Sequence, residues 1–264
     1  MTRRFHLYLS TRSPAGPVSA AKALVEGLAP DGGLFVPESF PGLDARLLSP
    51  EPLAYAELSR LLLGPWFPEF SASDLGTATA AAASQFPATP APLVAAGELR
   101  ILELFHGPTL AFKDFALSLM GDLLGLARKA QGAKEEILIL VATSGDTGKA
   151  ALQGFAGREG IRVLVFYPSE GVSGIQRLQM LTHEAANGKV VGIRGNFDDA
   201  QTGVKNIFND KDLAEELAEK GYRLSSANSI NIGRLVPQVA YYIWSYIKLI
   251  ETGAIKSGDK INIV

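Results

Sequence analysis

Glu136-Ile-Leu-Ile-Leu-Val-Ala142, continued by Thr143-Ser-Gly-Asp-Thr-Gly148, gives the clearest indication of the fold. It starts with an apolar run rich in branched side chains, which predicts a buried strand. The glycines that follow predict a tight turn into a helix over residues 150–155. The same alternation recurs farther along, with strands predicted over 162–167 and 189–193 and helices over 173–184 and 198–208. Strands that alternate with helices at this spacing predict an α/β fold, with an open, mainly parallel sheet flanked by helices.

The neighbouring segments extend this pattern. Residues 99–105 predict a strand, and residues 113–129 predict a helix that is apolar nearly all round and therefore buried. On the other side, an apolar helix is expected from Leu235, and residues 260–264 predict a parallel strand. Ligands in open α/β sheets bind just beyond the carboxyl ends of strands. A binding loop is therefore expected directly after residue 264.

Three prolines, Pro87, Pro90 and Pro92, mark a boundary before this region. Ahead of them, residues 1 to about 40 predict short extended pieces and turns, and residues 52–86 predict helices. We therefore expect a small amino-terminal α+β subdomain over residues 1–90 and the main α/β region over residues 91–264.

The composition excludes several classes of protein. Among the 264 residues, 25 Lys and Arg against 27 Asp and Glu give a net charge of −2, which argues against nucleic acid or a membrane surface as a partner. The chain has no Cys and only three scattered His, so we expect no disulfide, no thiolate nucleophile and no metal site. Without an export signal or an apolar stretch of membrane-spanning length, a cytoplasmic location is expected.

Lys113 is the first candidate for chemistry. It stands at the start of the buried helix predicted over 113–129, so its amine should be partly desolvated, which favours the neutral form. A neutral amine is a nucleophile suited to forming an imine with a carbonyl cofactor. On composition alone, the alternative is that Lys113 pairs with a carboxylate while its stem covers apolar surface.

The loop Ser144-Gly145-Asp146-Thr147-Gly148 is the second candidate. A loop between a buried strand and a helix directs backbone N–H groups at an anion, and the helix start adds positive potential. Thr143 and Ala150 stand where a Walker A loop needs Gly and Ser or Thr, and the glycine spacing differs from a dinucleotide fingerprint. The alternative is a tight, well-capped turn without a ligand.

A polar segment, residues 225–234, is the third candidate. It contains Asn228, Ser229 and Arg234 and enters the apolar helix expected from Leu235. Its small polar side chains suit the oxygen atoms of a ligand, and they suit helix N-caps equally well.

Taken together, the three segments resemble the motifs of threonine synthases and occur in that family's order. They are Glu103-Leu-Phe-His-Gly-Pro-Thr-Leu-Ala-Phe-Lys-Asp114, Ala142-Thr-Ser-Gly-Asp-Thr-Gly148 and Asn228-Ser-Ile-Asn-Ile-Gly-Arg234. Further matches are Leu7-Tyr-Leu-Ser-Thr-Arg12, Asp31-Gly-Gly-Leu-Phe-Val-Pro37 and Gly195-Asn-Phe-Asp-Asp-Ala-Gln201. The resemblance covers nearly the whole chain and implies a fold-type II pyridoxal-phosphate enzyme. Such an enzyme converts O-phospho-L-homoserine and water to L-threonine and phosphate.

The resemblance also implies roles for individual residues. Lys113 would form the Schiff base with pyridoxal 5'-phosphate and afterwards move protons at Cα and Cβ of the substrate. The implied cofactor contacts are Lys113, Asp146, Asn228 and Ser229, and the implied substrate contacts are Ser144, Gly145, Thr147, Gly148, Lys149 and Arg234. Lys149 and Arg234 are the basic groups nearest the motifs, although a solvated surface charge is the expectation for each of them taken alone.

One feature of the family's pattern is missing. Members carry a glycine-rich loop for the cofactor phosphate directly after the strand matched by residues 261–264, and the group that faces the pyridine nitrogen comes later still. We therefore expect an amino-terminal portion of a longer enzyme, a monomer or homodimer, that by itself binds the cofactor weakly and turns over little. Two alternatives stay open, a phospho-lyase on the same scaffold and a non-catalytic family fragment.

Overall fold

The computed structural model of the protein describes residues 7–12, 16–48 and 52–264. The amino-terminal elements are β1 Tyr8–Ser10, α1 Ala20–Glu26, β2 Phe35–Pro37, a 3₁₀ turn Ala45–Leu48, α2 Tyr55–Leu63, α3 Ala72–Ala83, β3 Leu93–Ala96 and β4 Leu99–Leu102. They are followed by α4 Asp114–Gln131, β5 Glu136–Ala142, α5 Asp146–Phe155, β6 Ile161–Pro168, α6 Gly174–Leu181 and β7 Gly188–Ile193. The last elements are α7 Phe197–Asn209, α8 Lys211–Glu219, β8 Tyr222–Ser226, α9 Ile232–Leu235, a 3₁₀ turn Val236–Gln238 and α10 Val239–Glu251.

A four-stranded parallel sheet in the order β7-β6-β5-β8 lies at the centre of the fold. β5 pairs with β6 from Ile137↔Ile161 onward and with β8 from Glu136↔Tyr222 onward. The buried side chains of β5 alternate between two cores, with Ile139 in the larger one and Leu140 packed against α7 on the opposite face. Both faces are therefore covered, and the predicted α/β fold with a mainly parallel sheet and flanking helices is confirmed.

The pairing of strands corrects three expectations. The strand predicted over 99–105 ends at Leu102 and pairs antiparallel with β3 in a separate two-stranded sheet, because the hairpin partner lies directly before it in the chain. The strand β8 was not predicted, since Tyr222-Arg-Leu-Ser-Ser226 lacks a branched apolar run, yet it pairs with β5 along its whole length. Residues 260–264 form no strand, because no strand of the described residues pairs with them.

The helices also differ in detail from the prediction. The helix predicted over 150–155 begins earlier, at Asp146, so part of the predicted loop is its first turn. The short helix α1, with five buried residues, and the exposed helix α8 were not predicted. Part of the extended piece expected near the amino terminus, at Phe5 and His6, lies outside the described residues.

The helix α4 is the centre of the main core. Its buried side chains include Leu117, Met120 and Leu124, and they join α1, α5 and β5 in one continuous cluster. This cluster also contains residues before Pro87, such as Tyr8 and Leu63. The division into domains at residue 90 stays a prediction.

Among residues 7–12, 16–48 and 52–264, none of the helices combines the length and apolar character that a membrane crossing needs.

Two glycines allow α4 and α5 to touch. A Cβ atom placed on Gly154 would lie 2.2 Å from the backbone oxygen of Leu117, and one on Gly121 would lie 2.8 Å from the oxygen of Gly154. Backbone atoms cannot move aside as a flexible side chain can. We therefore expect Gly154→Ala to lower the free energy of unfolding by about 1–3 kcal/mol, as overpacking of a core does.

Urea unfolding of the variant measures this effect. Gly203→Ala on α7 is the matched control, because a Cβ at Gly203 meets no atom within 4 Å. The control should be neutral or stabilised by up to about 1 kcal/mol, since Ala has the higher helix propensity. Equal unfolding free energies for the two variants would show that the contact between α4 and α5 tolerates a methyl group.

Candidate functional site

Lys113 lies at the amino-terminal end of α4, in the N-cap position. Its side chain is only 18% exposed, and its Nζ lies 3.3 Å from Oδ2 of Asp146 and 4.5 Å from the ring centroid of Phe112. The partly buried amine that the sequence predicts is therefore present. The carboxylate pairing named as its alternative is present as well, since Asp146 is that partner.

Asp146 links Lys113 to a third side chain. It is the first residue of α5, and its Oδ1 accepts a hydrogen bond from Nε2 of Gln176 on α6 at 2.6 Å. Gly145 before it has φ +143°, and a Cβ at Gly145 would lie 2.4 Å from the Gln176 side chain. Only glycine fits this position without strain. The sequence does not predict a role for Gln176, because nothing in its own segment suggests a site.

The backbone amides of the predicted anion loop fall into two groups. Those of Gly145 and Gly148 donate to Oγ1 of Thr143 at 2.9 and 3.0 Å. In the part of the chain that the structure describes, the amides of Ser144, Asp146 and Thr147 have no protein acceptor. Thr143 thus shapes the turn, and the second group of amides, at the start of α5, can receive an anion.

A cavity of about 210 Å³ lies beside the Lys113 amine. The structure brings together here residues that are more than a hundred positions apart in the chain. The lining is Phe112, Lys113, Thr147, Asn228, Ser229, Arg234, Leu235 and Gln238. Five of the predicted site residues are among them, and Asp146 is in contact through Lys113. The predicted residues Ser144, Gly145, Gly148 and Lys149 lie outside this lining.

Asn228 is placed at the carboxyl ends of β5 and β8. Its Nδ2 donates to the backbone oxygen of Ala142 at 3.3 Å, and its backbone N–H donates to Oγ of Ser226. Its Oδ1 is buried and has no hydrogen-bond partner among the described residues. The neighbouring Ser229 is exposed, whereas Asn231 caps α9 through its side chain. The segment therefore contains both a helix cap and an unsatisfied acceptor.

Arg234 is buried, and the expectation of a solvated surface charge is wrong for it. Only 3% of the residue is exposed, and Nη1 donates to the backbone oxygen of Ala227 at 2.8 Å. Within the described residues, its Nε has no hydrogen-bond partner and no carboxylate lies within 4 Å of the guanidinium. Burial lowers the pKa of Arg234 to about 10, because desolvation disfavours the charged form.

Lys149 has a different environment. It is half-buried on α5, and its Nζ lies 3.5 Å from Nδ1 of His183. Burial lowers its pKa, while the negative charge of Asp114 acts in the opposite direction. Lys149 is not among the residues that line the cavity beside Lys113.

Comparison with known proteins agrees with this architecture. Residues 7–83 match the family profile described as threonine synthase N terminus. Human threonine synthase-like 1 is 36% identical over 270 residues, which is 92% of this chain and 34% of the human protein. Threonine synthase from Pseudomonas aeruginosa is 38% identical over 251 residues, which is 92% of this chain and 51% of that enzyme.

A solved structure extends the similarity to three dimensions. The crystal structure of pyridoxal-phosphate-bound threonine synthase from Brucella melitensis superposes with a TM-score of 0.84 at 36% identity, covering 97% of this chain and 53% of that one. The chain thus spans between a third and about half of the length of these relatives. By sequence and by fold, this chain is a relative of the threonine synthases and matches an amino-terminal portion of them.

Proposed function

We propose that this chain forms the lysine side of a pyridoxal 5'-phosphate site in a threonine synthase. The reaction is the conversion of O-phospho-L-homoserine and water to L-threonine and phosphate. The observation that carries the proposal is the Lys113 amine, which is partly buried, oriented by Asp146 and open to a cavity that two other family motifs line. A relative of known structure, from Brucella melitensis, has pyridoxal phosphate bound.

The residues around the cavity fit this cofactor and its substrate. Asn228 offers a buried, unpaired carbonyl oxygen, and Arg234 offers a buried cation with an unpaired N–H, counted over the described residues. Buried polar groups are ordinarily satisfied, so such atoms favour a polar ligand. When bound, pyridoxal phosphate stabilises the electron pair that remains after a proton leaves Cα of the substrate.

Each residue then has a task that follows from its position. The Lys113 amine accepts the proton from Cα of the substrate. Because Cβ is bonded to Cα, the same amine also moves a proton at Cβ. The amides of Asp146 and Thr147 at the start of α5 hold the substrate carboxylate, aided by the helix dipole. Arg234 attracts a phosphate group, with a charge-assisted hydrogen bond from its free N–H. Asp146 and Gln176 fix the direction in which the Lys113 amine points.

Product analysis tests this function. The protein is incubated with pyridoxal phosphate and O-phospho-L-homoserine, and phosphate, L-threonine and 2-oxobutyrate are measured separately. We expect only slow turnover by this chain alone, with L-threonine formed in step with the phosphate that is released, because water adds at Cβ after the phosphate leaves. Phosphate with 2-oxobutyrate and no threonine would replace the proposal by a phospho-lyase. Failure to release phosphate, with cofactor bound at Lys113, would leave a cofactor-binding fragment and contradict the synthase assignment for this chain.

A further inference from the structure

The carboxylate of Asp114 is buried directly beside Lys113 and points back into the preceding turn. Only 1% of the residue is exposed, and its oxygens accept the backbone N–H of Thr109 at 2.8 Å and the hydroxyl of Thr109 at 2.5 Å. An N-cap side chain accepts amides from the helix that follows it. Asp114 instead binds a residue five positions earlier, so its hydrogen bonds hold the turn that precedes the helix.

That turn, residues 107–112, has a conformation that needs support. Leu110 has φ +59° and is 71% exposed, and it is the only residue other than glycine with positive φ in residues 7–12, 16–48 and 52–264. A left-handed conformation is unfavourable for a residue with a side chain, because Cβ comes too close to the following carbonyl oxygen. The contacts of the Leu110 side chain do not offset this cost, because most of that side chain is in solvent.

The turn is closed by its backbone and by Asp114. The N–H of Leu110 donates to the oxygen of Gly107 at 3.1 Å, and the N–H of Asp114 donates to the oxygen of Ala111 at 3.0 Å. A Cβ on Gly107 would lie 2.5 Å from Oδ2 of Asp114, so the carboxylate packs directly on the Gly107 backbone. Asp114 and Thr109 are thus the side chains that tie the start of the turn to the start of α4.

We propose that Asp114 and Thr109 form a clamp that fixes the 107–112 turn and thereby sets the position of the Lys113 amine. They are positioning residues and do not touch the reacting atoms. Phe112 and Lys113 are the last residues of the clamped segment, and the two contacts of Nζ, to Asp146 and to the Phe112 ring, depend on where that segment ends. The inference rests on the proposed function, in which Lys113 is the reactive amine.

The clamp acts through hydrogen-bond geometry. Burial raises the pKa of Asp114, while the hydrogen bonds from Thr109 and the positive charge of Lys149 lower it. An asparagine at 114 keeps the shape, and it can still accept the Thr109 N–H and donate to the Thr109 hydroxyl. An alanine loses both hydrogen bonds. The two variants therefore separate geometry from charge.

The test measures how fast Lys113 reacts with pyridoxal phosphate. The amine and the aldehyde condense with loss of water, borohydride reduces the product, and peptide mapping gives the labelling rate at each lysine. Exposed Lys189 on β7 is the internal reference. We expect Asp114→Ala to slow Lys113 labelling about tenfold relative to Lys189 and Asp114→Asn to stay within about threefold of the unmodified protein, since 1.4 kcal/mol is a factor of about ten.

The outcomes are separable. If Lys113 of the unmodified protein is not labelled, the proposed function fails. If it is labelled equally fast in a folded Asp114→Ala variant, the clamp fails and the function stands. An Asn variant as slow as the Ala variant would assign the effect to charge and also overturn the clamp.

If Asp114→Ala does not fold, the Lys113 labelling rates of Thr109→Val and Thr109→Ser are compared instead. Only valine removes the hydroxyl, so equal rates would overturn the clamp. Asp212→Ala, an exposed aspartate in the first turn of α8, is the matched control.

Discussion

Replacing Lys113 by alanine should leave only the slow pyridoxal phosphate labelling of exposed lysines such as Lys189, with the fast labelling directed by the cavity reduced by at least about 100-fold, because no other amine lines the cavity within the described residues. A cofactor held by a covalent bond to one lysine loses that bond when the amine is removed. The visible absorbance of the bound cofactor should disappear with it. Difference absorbance in the presence of excess pyridoxal phosphate, followed by peptide mapping of the reduced sample, measures both quantities.

The fold should tolerate this substitution. The Lys113 side chain is 18% exposed and its partner Asp146 is 48% exposed, so the carboxylate that remains is hydrated. An ion pair with one well-exposed partner contributes no more than about 1 kcal/mol, and the unfolding free energy should change by that amount or less. Lys129→Ala, at the exposed end of the same helix, is the matched control and should retain full labelling at Lys113. Equal labelling of the Lys113→Ala variant would move the reactive amine elsewhere and remove the basis of the proposed function.

The sequence predicts those helices and strands whose own residue pattern matches their burial in the folded protein. The run Glu136–Ala142 is a strand with the bounds that its branched apolar residues indicate, and the apolar residues after Lys113 form the buried helix α4. Tyr222–Ser226 shows the limit of this reasoning. It is a strand because it pairs with β5. Its five residues mix polar and apolar side chains, so the sequence of the segment does not predict that pairing.

The candidate site likewise has residues that the sequence predicts and supporting contacts that it does not. Lys113, Thr147, Asn228, Ser229 and Arg234 belong to recognisable motifs, and the structure brings them to one cavity. The supporting contacts lack such a signal. Gln176 reaches Asp146 from another helix, and Thr109 meets Asp114 only because the turn between them is folded back. The assignment of roles to these residues stays a prediction, which the variants described here test.

Arg234→Met should remove the stabilisation of this protein by inorganic phosphate. The guanidinium is buried, and in the part of the chain that the structure describes no carboxylate balances it, so a bound anion would be its counter-charge. A ligand at 100 times its dissociation constant adds about 2.7 kcal/mol to the free energy of unfolding. We expect a gain of about 2 kcal/mol for the unmodified protein at saturating phosphate and less than about 0.5 kcal/mol for the variant.

The same variant makes a second, less intuitive prediction in the absence of phosphate. Removing a large buried side chain ordinarily costs about 2–5 kcal/mol, whereas replacing a buried charge by an apolar group of similar size is often neutral or stabilising. Burial lowers the pKa of Arg234 to about 10, which means that the fold disfavours the charged guanidinium. The loss of its hydrogen bond to Ala227 should cost about 1 kcal/mol. We therefore expect the variant to be as stable as the unmodified protein to within about 1 kcal/mol, or more stable.

Urea unfolding with and without phosphate, at constant ionic strength, measures both effects. Arg223→Met on β8 is the matched control, because Arg223 pairs with Glu26 at 3.3 Å and its side chain is 37% exposed. That variant should keep the full response to phosphate, since its charge already has a carboxylate partner. A phosphate response that survives Arg234→Met would place the anion at the amides of α5 or at Lys149. A variant destabilised by several kcal/mol without phosphate would make Arg234 a structural residue, held in the core by its hydrogen bond to Ala227 alone.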